Sequence, residues 1–217
     1  MTKLSIEIIS DFICPWCHIG EEQLFAAGKA LEGVELDVAW VPFELNPSVP
    51  PAGLNRKEYR TAKFGSWEHS QKLDAHVVQA GKAAGLEFNY DRIEVTPNTR
   101  LAHRLVWFAP ADRRRVLVPE IFRAYFERGE NIGDVEVLVA AAVRAGLPES
   151  DARTFLRGET GVEEVLALES AVVRAGINSV PRIRINGREL KGAVRAEDLV
   201  DILRTVAAED GQEPSAP

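Results

Sequence analysis

Apolar and polar residues alternate from Leu4 to Ile9 (Leu4-Ser5-Ile6-Glu7-Ile8-Ile9), which is the period-two pattern of a strand rich in β-branched residues. The period then lengthens, and Glu21 to Leu31 offers helix formers with Leu24, Phe25 and Ala27 as apolar positions. Val34 to Trp40 alternates again and reads as a second strand, ending in the proline-rich stretch Val41 to Pro51. Strand, helix and strand in that order predict a βαβ start and a parallel sheet. From about Asn55 to Gly176 the pattern is almost wholly helical, with helices expected near 56–85, 98–109, 113–128, 134–145, 149–157 and 161–176. Glycine and proline punctuate them: Asn98-Thr99 is placed to cap one helix and Pro148 to begin another. Alternation returns at Pro181-Arg182-Ile183-Arg184-Ile185. Asn186-Gly187 is the preferred two-residue turn, and Arg188 to Lys191 starts the returning strand of a β-hairpin. A last helix, Ala196 to Ala207, gathers Leu199, Val200, Ile202, Leu203 and Val206 on one side, before an acidic tail from Glu209.

The order is therefore β-α-β, a run of helices, then α-β-β-α, with no internal repeat and no long linker. This predicts an α/β domain assembled from both ends of the chain, residues 1–50 and 160–208, with a helical insertion at 51–159 and a disordered tail at 209–217. With 217 residues, 46% hydrophobic and 27% charged, the chain has the balance of a soluble protein able to bury a core. Its 26 Lys and Arg against 33 Asp and Glu give −7, which argues against a nucleic-acid partner. The best apolar run, Val137 to Val143, is bounded by Glu136 and Arg144, far short of the roughly 20 residues that span a bilayer, so no membrane association is expected. Charges near the N-terminus do not fit the apolar core of a signal peptide, and a cytoplasmic location is expected. Two cysteines exclude a multi-bridge disulfide scaffold.

Those cysteines form Cys14-Pro15-Trp16-Cys17, between the first strand and the first helix. A thiol at a helix N-terminus faces unpaired backbone N–H groups and the positive end of the dipole, which favour thiolate over thiol. Cys14 is thus the candidate attacking sulfur. Cys17, one turn deeper, is placed to resolve a mixed disulfide. A lone CxxC is also half of a zinc site, with His18 adjacent, but there is no second CxxC and His69, His76 and His103 lie far along the chain. No bound metal is expected; two inert core cysteines are the plainer alternative. Trp16, exposed by its position, is read as shaping substrate contact and redox poise. A second signal is Ser179-Val180-Pro181 ahead of the hairpin, since a cis proline in the thioredoxin arrangement lies against the cysteine pair and the residue before it offers its backbone to a bound peptide or thiol.

Three motifs, Ser10-Asp11-Phe12-Ile13-Cys14-Pro15-Trp16-Cys17-His18-Ile19-Gly20, Pro42-Phe43-Glu44-Leu45-Asn46-Pro47 and Asn98-Thr99-Arg100-Leu101-Ala102-His103-Arg104, together resemble the DsbA family, FrnE-type branch. That branch is similar to the 2-hydroxychromene-2-carboxylate isomerases and kappa-class glutathione transferases. Over nearly the whole chain, the resemblance implies a thioredoxin fold with a large all-helical insertion between the second and third strands. It also implies thiol–disulfide exchange by Cys14 and Cys17 with Pro181 cis. Asn46, Asn98 and His103 match motif positions and become substrate-binding candidates beside Pro15, Trp16, Val180 and Pro181. For Asn98 and His103 the competing accounts are a helix cap and a core histidine.

The chain departs from the family at His18, where tyrosine is common, and at Arg182 and Arg184, where apolar residues are. A protonated His18 would modulate Cys14; a surface histidine is the plainer reading. The arginines imply either a covered strand face with paired acids or a face open to substrate. The expected function is disulfide exchange with protein or small-molecule thiols, with no bound cofactor beyond the redox-active cysteine pair and with glutathione as a co-substrate, in a monomer or homodimer. The alternatives are a glutathione-dependent isomerase or transferase acting on a small aromatic compound, and a non-catalytic binding module.

Overall fold

The computed structural model describes residues 1–210. Four strands form the main sheet: β1 (Thr2–Ser10), β2 (Val34–Pro42), β5 (Arg182–Ile185) and β6 (Arg188–Lys191), in the order β2-β1-β5-β6. A second, two-residue ladder pairs β3 (Leu54–Asn55) with β4 (Val95–Thr96) inside the insertion, which is otherwise helical. The sheet is mixed rather than parallel. β1 and β2 run parallel from Thr2↔Val34 to Ser10↔Pro42, but β5 pairs antiparallel with β1 at Ile8↔Ile183, and β6 antiparallel with β5. The parallel expectation carried the βαβ start over to the C-terminal strands; a hairpin makes β5 and β6 antiparallel by construction, and β5 itself enters the sheet running opposite to β1. Asn186 (φ 45) and Gly187 (φ 82) make its turn, the two positive-φ positions that an Asn-Gly pair supplies at little cost.

The helices are α1 (Pro15–Lys29), α2 (Arg56–Phe64), α3 (Trp67–Ala83), α4 (Arg100–Phe108), α5 (Ala111–Phe126), α6 (Val135–Arg144), α7 (Glu149–Arg157), α8 (Val162–Arg174) and α9 (Ala196–Asp210). The single helix expected at 56–85 is two. Gly65 takes φ 86, where a side chain would be strained, and the Ser66 side chain then accepts from the His69 N–H to cap α3. α9 runs on through Glu209 and Asp210, so the tail expected from Glu209 begins in helix, and its remainder, 211–217, lies outside the described residues.

Two main cores result. Beside the sheet, Leu4, Ile6, Ile8, Ile183 and Ile185 pack with Leu24 and Phe25 of α1 and Leu199, Leu203 and Val206 of α9. The insertion has its own core around Phe122, Phe126, Leu105, Ile121 and Leu138, and Phe12, Cys14, Cys17 and Ile19 belong to it. α1 therefore contributes its first turns to one core and its later turns to the other. Among the described residues no helix is long and apolar enough to cross a membrane.

Candidate active site

α1 starts six residues earlier than its run of helix formers because Pro15 occupies the first helical position, where a missing N–H costs nothing. Cys14 is its N-cap, in extended conformation, and its carbonyl accepts from the N–H groups of Cys17 (3.0 Å) and His18 (3.4 Å). The two thiols are free and both are buried, Cys14 at 6% exposure and Cys17 at 0%. Val180-Pro181 is cis, and the Val180 carbonyl oxygen lies 3.8 Å from Cys14 Sγ as a hydrogen-bond acceptor. Cys14, Pro15, Trp16, Cys17, Val180 and Pro181 thus come together, although Cys14 and Val180 are 166 positions apart. Burial pushes the Cys17 thiol well above the usual range. Its hydrogen bond and charge interaction with Cys14 add to this, and the charge on Glu21 adds further.

Trp16 is half-buried rather than exposed. Its ring centroid is 5.8 Å from that of His76 on α3, and with Ile19, Ala83, Ala84, Ala193 and Arg195 it lines a groove of about 590 Å³ between α1, α3 and the start of α9. Both expectations for His18 are corrected. It is 5% exposed and stacks on Phe122 with centroids 4.7 Å apart and planes at 11°. Burial, with the Arg123 charge adding, drives its pKa down to about 3, so it is a neutral core ring and not a cation beside Cys14. The helix turns its fourth residue inward, against an aromatic cluster that sequence alone did not place there.

His103 is buried, packs its ring on Phe12 at 5.0 Å and brings Nε2 to 3.5 Å from Asp11 Oδ1. Asp11, fully buried three residues before Cys14, accepts the Leu45 N–H at 2.7 Å, while its backbone carbonyl accepts from Cys14 N–H. Asn98 spans the Val49 carbonyl (2.8 Å) and the Arg100 N–H (3.0 Å); Asn98, not Thr99, supplies the side-chain cap of α4. Asn46 accepts from the Tyr59 hydroxyl, which in turn accepts from Lys63 Nζ at 2.9 Å, tying its loop to α2. Arg104, in the same motif as His103, is buried and donates to the carbonyls of Phe155, Gly158 and Thr160, closing the end of α7. Arg182 pairs with Glu189 (2.8 Å), and Arg184 with Glu7 (3.1 Å). The strand face is covered by acids, but these come from β6 and β1 rather than from the insertion.

Sequence reasoning passed over Glu21, buried in α1 and hydrogen-bonded through Oε2 to the Trp40 indole N–H at 2.9 Å. The signal was present: Cys17, Glu21, Leu24 and Phe25 fall at i, i+4, i+7 and i+8, which puts an acid on the apolar stripe. It also passed over Glu44 and Glu169. Arg100 Nε donates to Glu44 at 2.8 Å, while burial and then the Glu44 charge raise Glu169 to about 7. No group of three or more His, Cys, Asp or Glu side chains among the described residues is arranged to hold a metal ion.

A family model described as a DSBA-like thioredoxin domain matches residues 5–204. The Bacillus subtilis (strain 168) protein YwbO, itself uncharacterised, is 28% identical over 194 residues, covering 87% of this chain and 90% of that one. The crystal structure of a probable DsbA oxidoreductase from Streptomyces coelicolor superposes with a TM-score of 0.86 at 29% identity, over 99% of this chain and 93% of that one. The cytosolic disulfide reductase DsbM of Pseudomonas aeruginosa shares the fold, with a TM-score of 0.65 at 18% identity over 94% of this chain and 99% of its own.

Proposed function

Because the chain belongs to the DSBA-like thioredoxin domain family, we propose that it is a thiol–disulfide oxidoreductase of the FrnE type, exchanging disulfides with protein or small-molecule thiols through Cys14 and Cys17. The observation that carries this reading is the placement of two free thiols one helical turn apart, with Cys14 at the cap of α1 and the Val180 carbonyl against its sulfur. Cys14 is the attacking group, at the end of the helix where negative charge is best accommodated. Its thiolate attacks a substrate disulfide, one substrate sulfur leaves as thiolate, and the other stays bound to Cys14. Cys17 then attacks Cys14 Sγ, closing the intramolecular disulfide and releasing the second substrate thiolate. The substrate gains two electrons and the cysteine pair loses them; the reverse sequence oxidises a dithiol.

The Val180 carbonyl is available to a bound backbone N–H, and Trp16 with its groove receives the group flanking the substrate sulfur. Glutathione fits this scheme as the small thiol that resets the pair, and DsbM of Pseudomonas aeruginosa, a cytosolic reductase, supports the same compartment here. Glutathione-dependent isomerase chemistry is the alternative, and Cys17 weighs against it, since that reaction needs one thiol-stabilising group and not a pair.

A redox titration in glutathione buffers at about pH 7, with thiols trapped and counted by mass, tests the proposal. The expected result is a reversible two-thiol transition, with Cys17→Ser instead accumulating a glutathione mixed disulfide on Cys14. A pair that forms no disulfide at any glutathione ratio sinks the exchange reading and leaves the isomerase.

A further inference from the structure

The loop after β2 and the middle of α8 meet through two carboxyls. Glu44 is 7% exposed; its Oε1 accepts from Arg100 Nε at 2.8 Å, while its Oε2 is buried and finds no donor. Glu169 reaches it from α8, in hydrogen-bonding contact with the Glu44 carboxyl, and its own Oε1 is likewise buried without a donor. Two carboxyls in contact, each with an oxygen that finds no donor, need something positive between them; without it each oxygen carries its desolvation cost and the two charges repel. Burial, and then the Glu44 charge, raise Glu169 to about 7, so in the free protein a proton fills this place below neutrality and leaves it above.

The pair stands in the wall of a groove of about 430 Å³ whose other surface is largely apolar, from Phe43, Pro47, Leu166 and Val173. Such walls suit a side chain with a methylene stem and a charged head. The charges call for one positive head: Arg100 already offsets Glu44, which leaves an ionised Glu169 unmatched. Two carboxylates, one of them engaged, supply too few oxygens for a divalent ion such as calcium, which takes about six or more. Arg174, at the edge of the groove, makes no ion pair with either carboxyl among the described residues. His103 and Arg100, both of α4, are the other groups whose charge acts on Glu169, and both favour its ionised form. The groove adjoins the exchange site. Phe43 packs with Val172, Ile177 and Val180, the Val180 carbonyl lies against Cys14 Sγ, and the Leu45 N–H, next after Glu44, is held by Asp11. A peptide whose backbone meets Val180 advances about 3.3 Å per residue and comes to the groove within a few residues of its sulfur.

Resting on the exchange reading above, we propose that the groove closed by Glu44 and Glu169 is a subsite for a lysine or arginine side chain that flanks the reactive sulfur of a protein substrate. The stem lies along Phe43 and Leu166, and the cationic head donates to both carboxylates in the place of the shared proton, which goes to solvent. Binding is therefore linked to loss of a proton from Glu169, and the preference for a cation grows as pH rises through about 7.

The test uses short glycine–alanine peptides with one cysteine held as its mixed disulfide with thionitrobenzoate. A single lysine, or in the matched peptide a norleucine, stands at each position up to about four residues on either side. The reduced protein attacks the peptide sulfur through Cys14, and released thionitrobenzoate gives kcat/KM. Each value is divided by the rate of the same peptide with mercaptoethanol, which removes the peptide's own reactivity. At one or more positions lysine is expected to exceed norleucine about tenfold at pH 8, falling toward equality at pH 6. Arginine should behave as lysine does, and citrulline as norleucine. Glu169→Gln, which keeps the shape of the side chain but cannot ionise, should bring the ratio to about one at both pH values. A ratio near one at every position in wild type overturns the proposal, as does a preference that survives Glu169→Gln or is as large at pH 6 as at pH 8. Should Glu169→Gln fail to fold, the pH course of the wild-type ratio decides alone. A wild-type protein that releases no thionitrobenzoate from any peptide overturns the exchange reading, whereas release without a preference for the cation overturns only the subsite.

Discussion

His18 shows how far one side chain's chemistry is set by its surroundings. The same ring that would be a cation on a surface helix is here sandwiched in an aromatic cluster with Phe122 and Phe88, and remains neutral. A base whose folded-state pKa, about 3, lies below its ordinary 6.5 takes up its proton only on unfolding. Its contribution to stability is therefore complete above about pH 6.5 and lost as pH falls. In denaturant titrations the stability of wild type relative to His18→Leu should fall by about 2 kcal/mol between pH 7 and pH 5. His18→Leu should remove that part of the slope, and an unchanged slope would show that the ring is protonated in the fold. Cys14, Cys17 and Val180-Pro181 were legible in the sequence because their chemistry is local: a spacing, a helix start, a proline before a strand. His18, Glu21 and Arg104 were not. Whether a polar residue faces inward depends on what packs above it, and for these three the covering groups come from β2, α5 and the end of α7.

Among elements, the helix ends show most clearly how sequence pattern becomes structure. α7 begins and ends as its pattern predicts, at Glu149 and Arg157; the Gly158 N–H caps the Thr154 and Phe155 carbonyls, and Arg104 from α4 adds a second donor to Phe155 and holds the carbonyls of Gly158 and Thr160 just past the end. Such a guanidinium, buried and bonded to three carbonyls, has no substitute in a shorter side chain. Arg104→Met, which keeps the packing volume but not the donors, should cost about 2–4 kcal/mol in chemical denaturation. It should leave the reactivity of Cys14 toward thiol reagents near wild type, since α7 lies away from α1. A loss below about 0.5 kcal/mol would mean that water replaces the guanidinium freely. The break at Gly65-Ser66 was readable in principle, a residue suited to positive φ followed by a capping hydroxyl. The β3–β4 ladder was not, because two residues carry no period.

For the molecule as a whole, two carboxyls, Glu21 buried and Glu169 half-buried, work against His18. Glu21 and Glu169 are each raised from an ordinary 4.5 to about 7, so the folded state keeps protons that the unfolded chain gives up. Their stabilising contribution is full below about pH 4.5 and lost as pH rises through 7. Stability should accordingly decline from about pH 5 to pH 8, and the double variant Glu21→Gln, Glu169→Gln should flatten that decline; a decline of unchanged steepness would place both carboxylates in contact with water. The sheet order carries a further consequence, for synthesis. β1 lies between β2 and β5, yet β5 begins at Arg182, so the ribosome has made the whole insertion before the central strand can gain its second neighbour. Until then the emerging chain holds helices that can form from local contacts, while Val180 has not yet arrived to meet Cys14. Cys14 is thus made early and meets its last neighbour late, and a nascent chain stalled before residue 180 lacks the carbonyl that lies against the Cys14 sulfur.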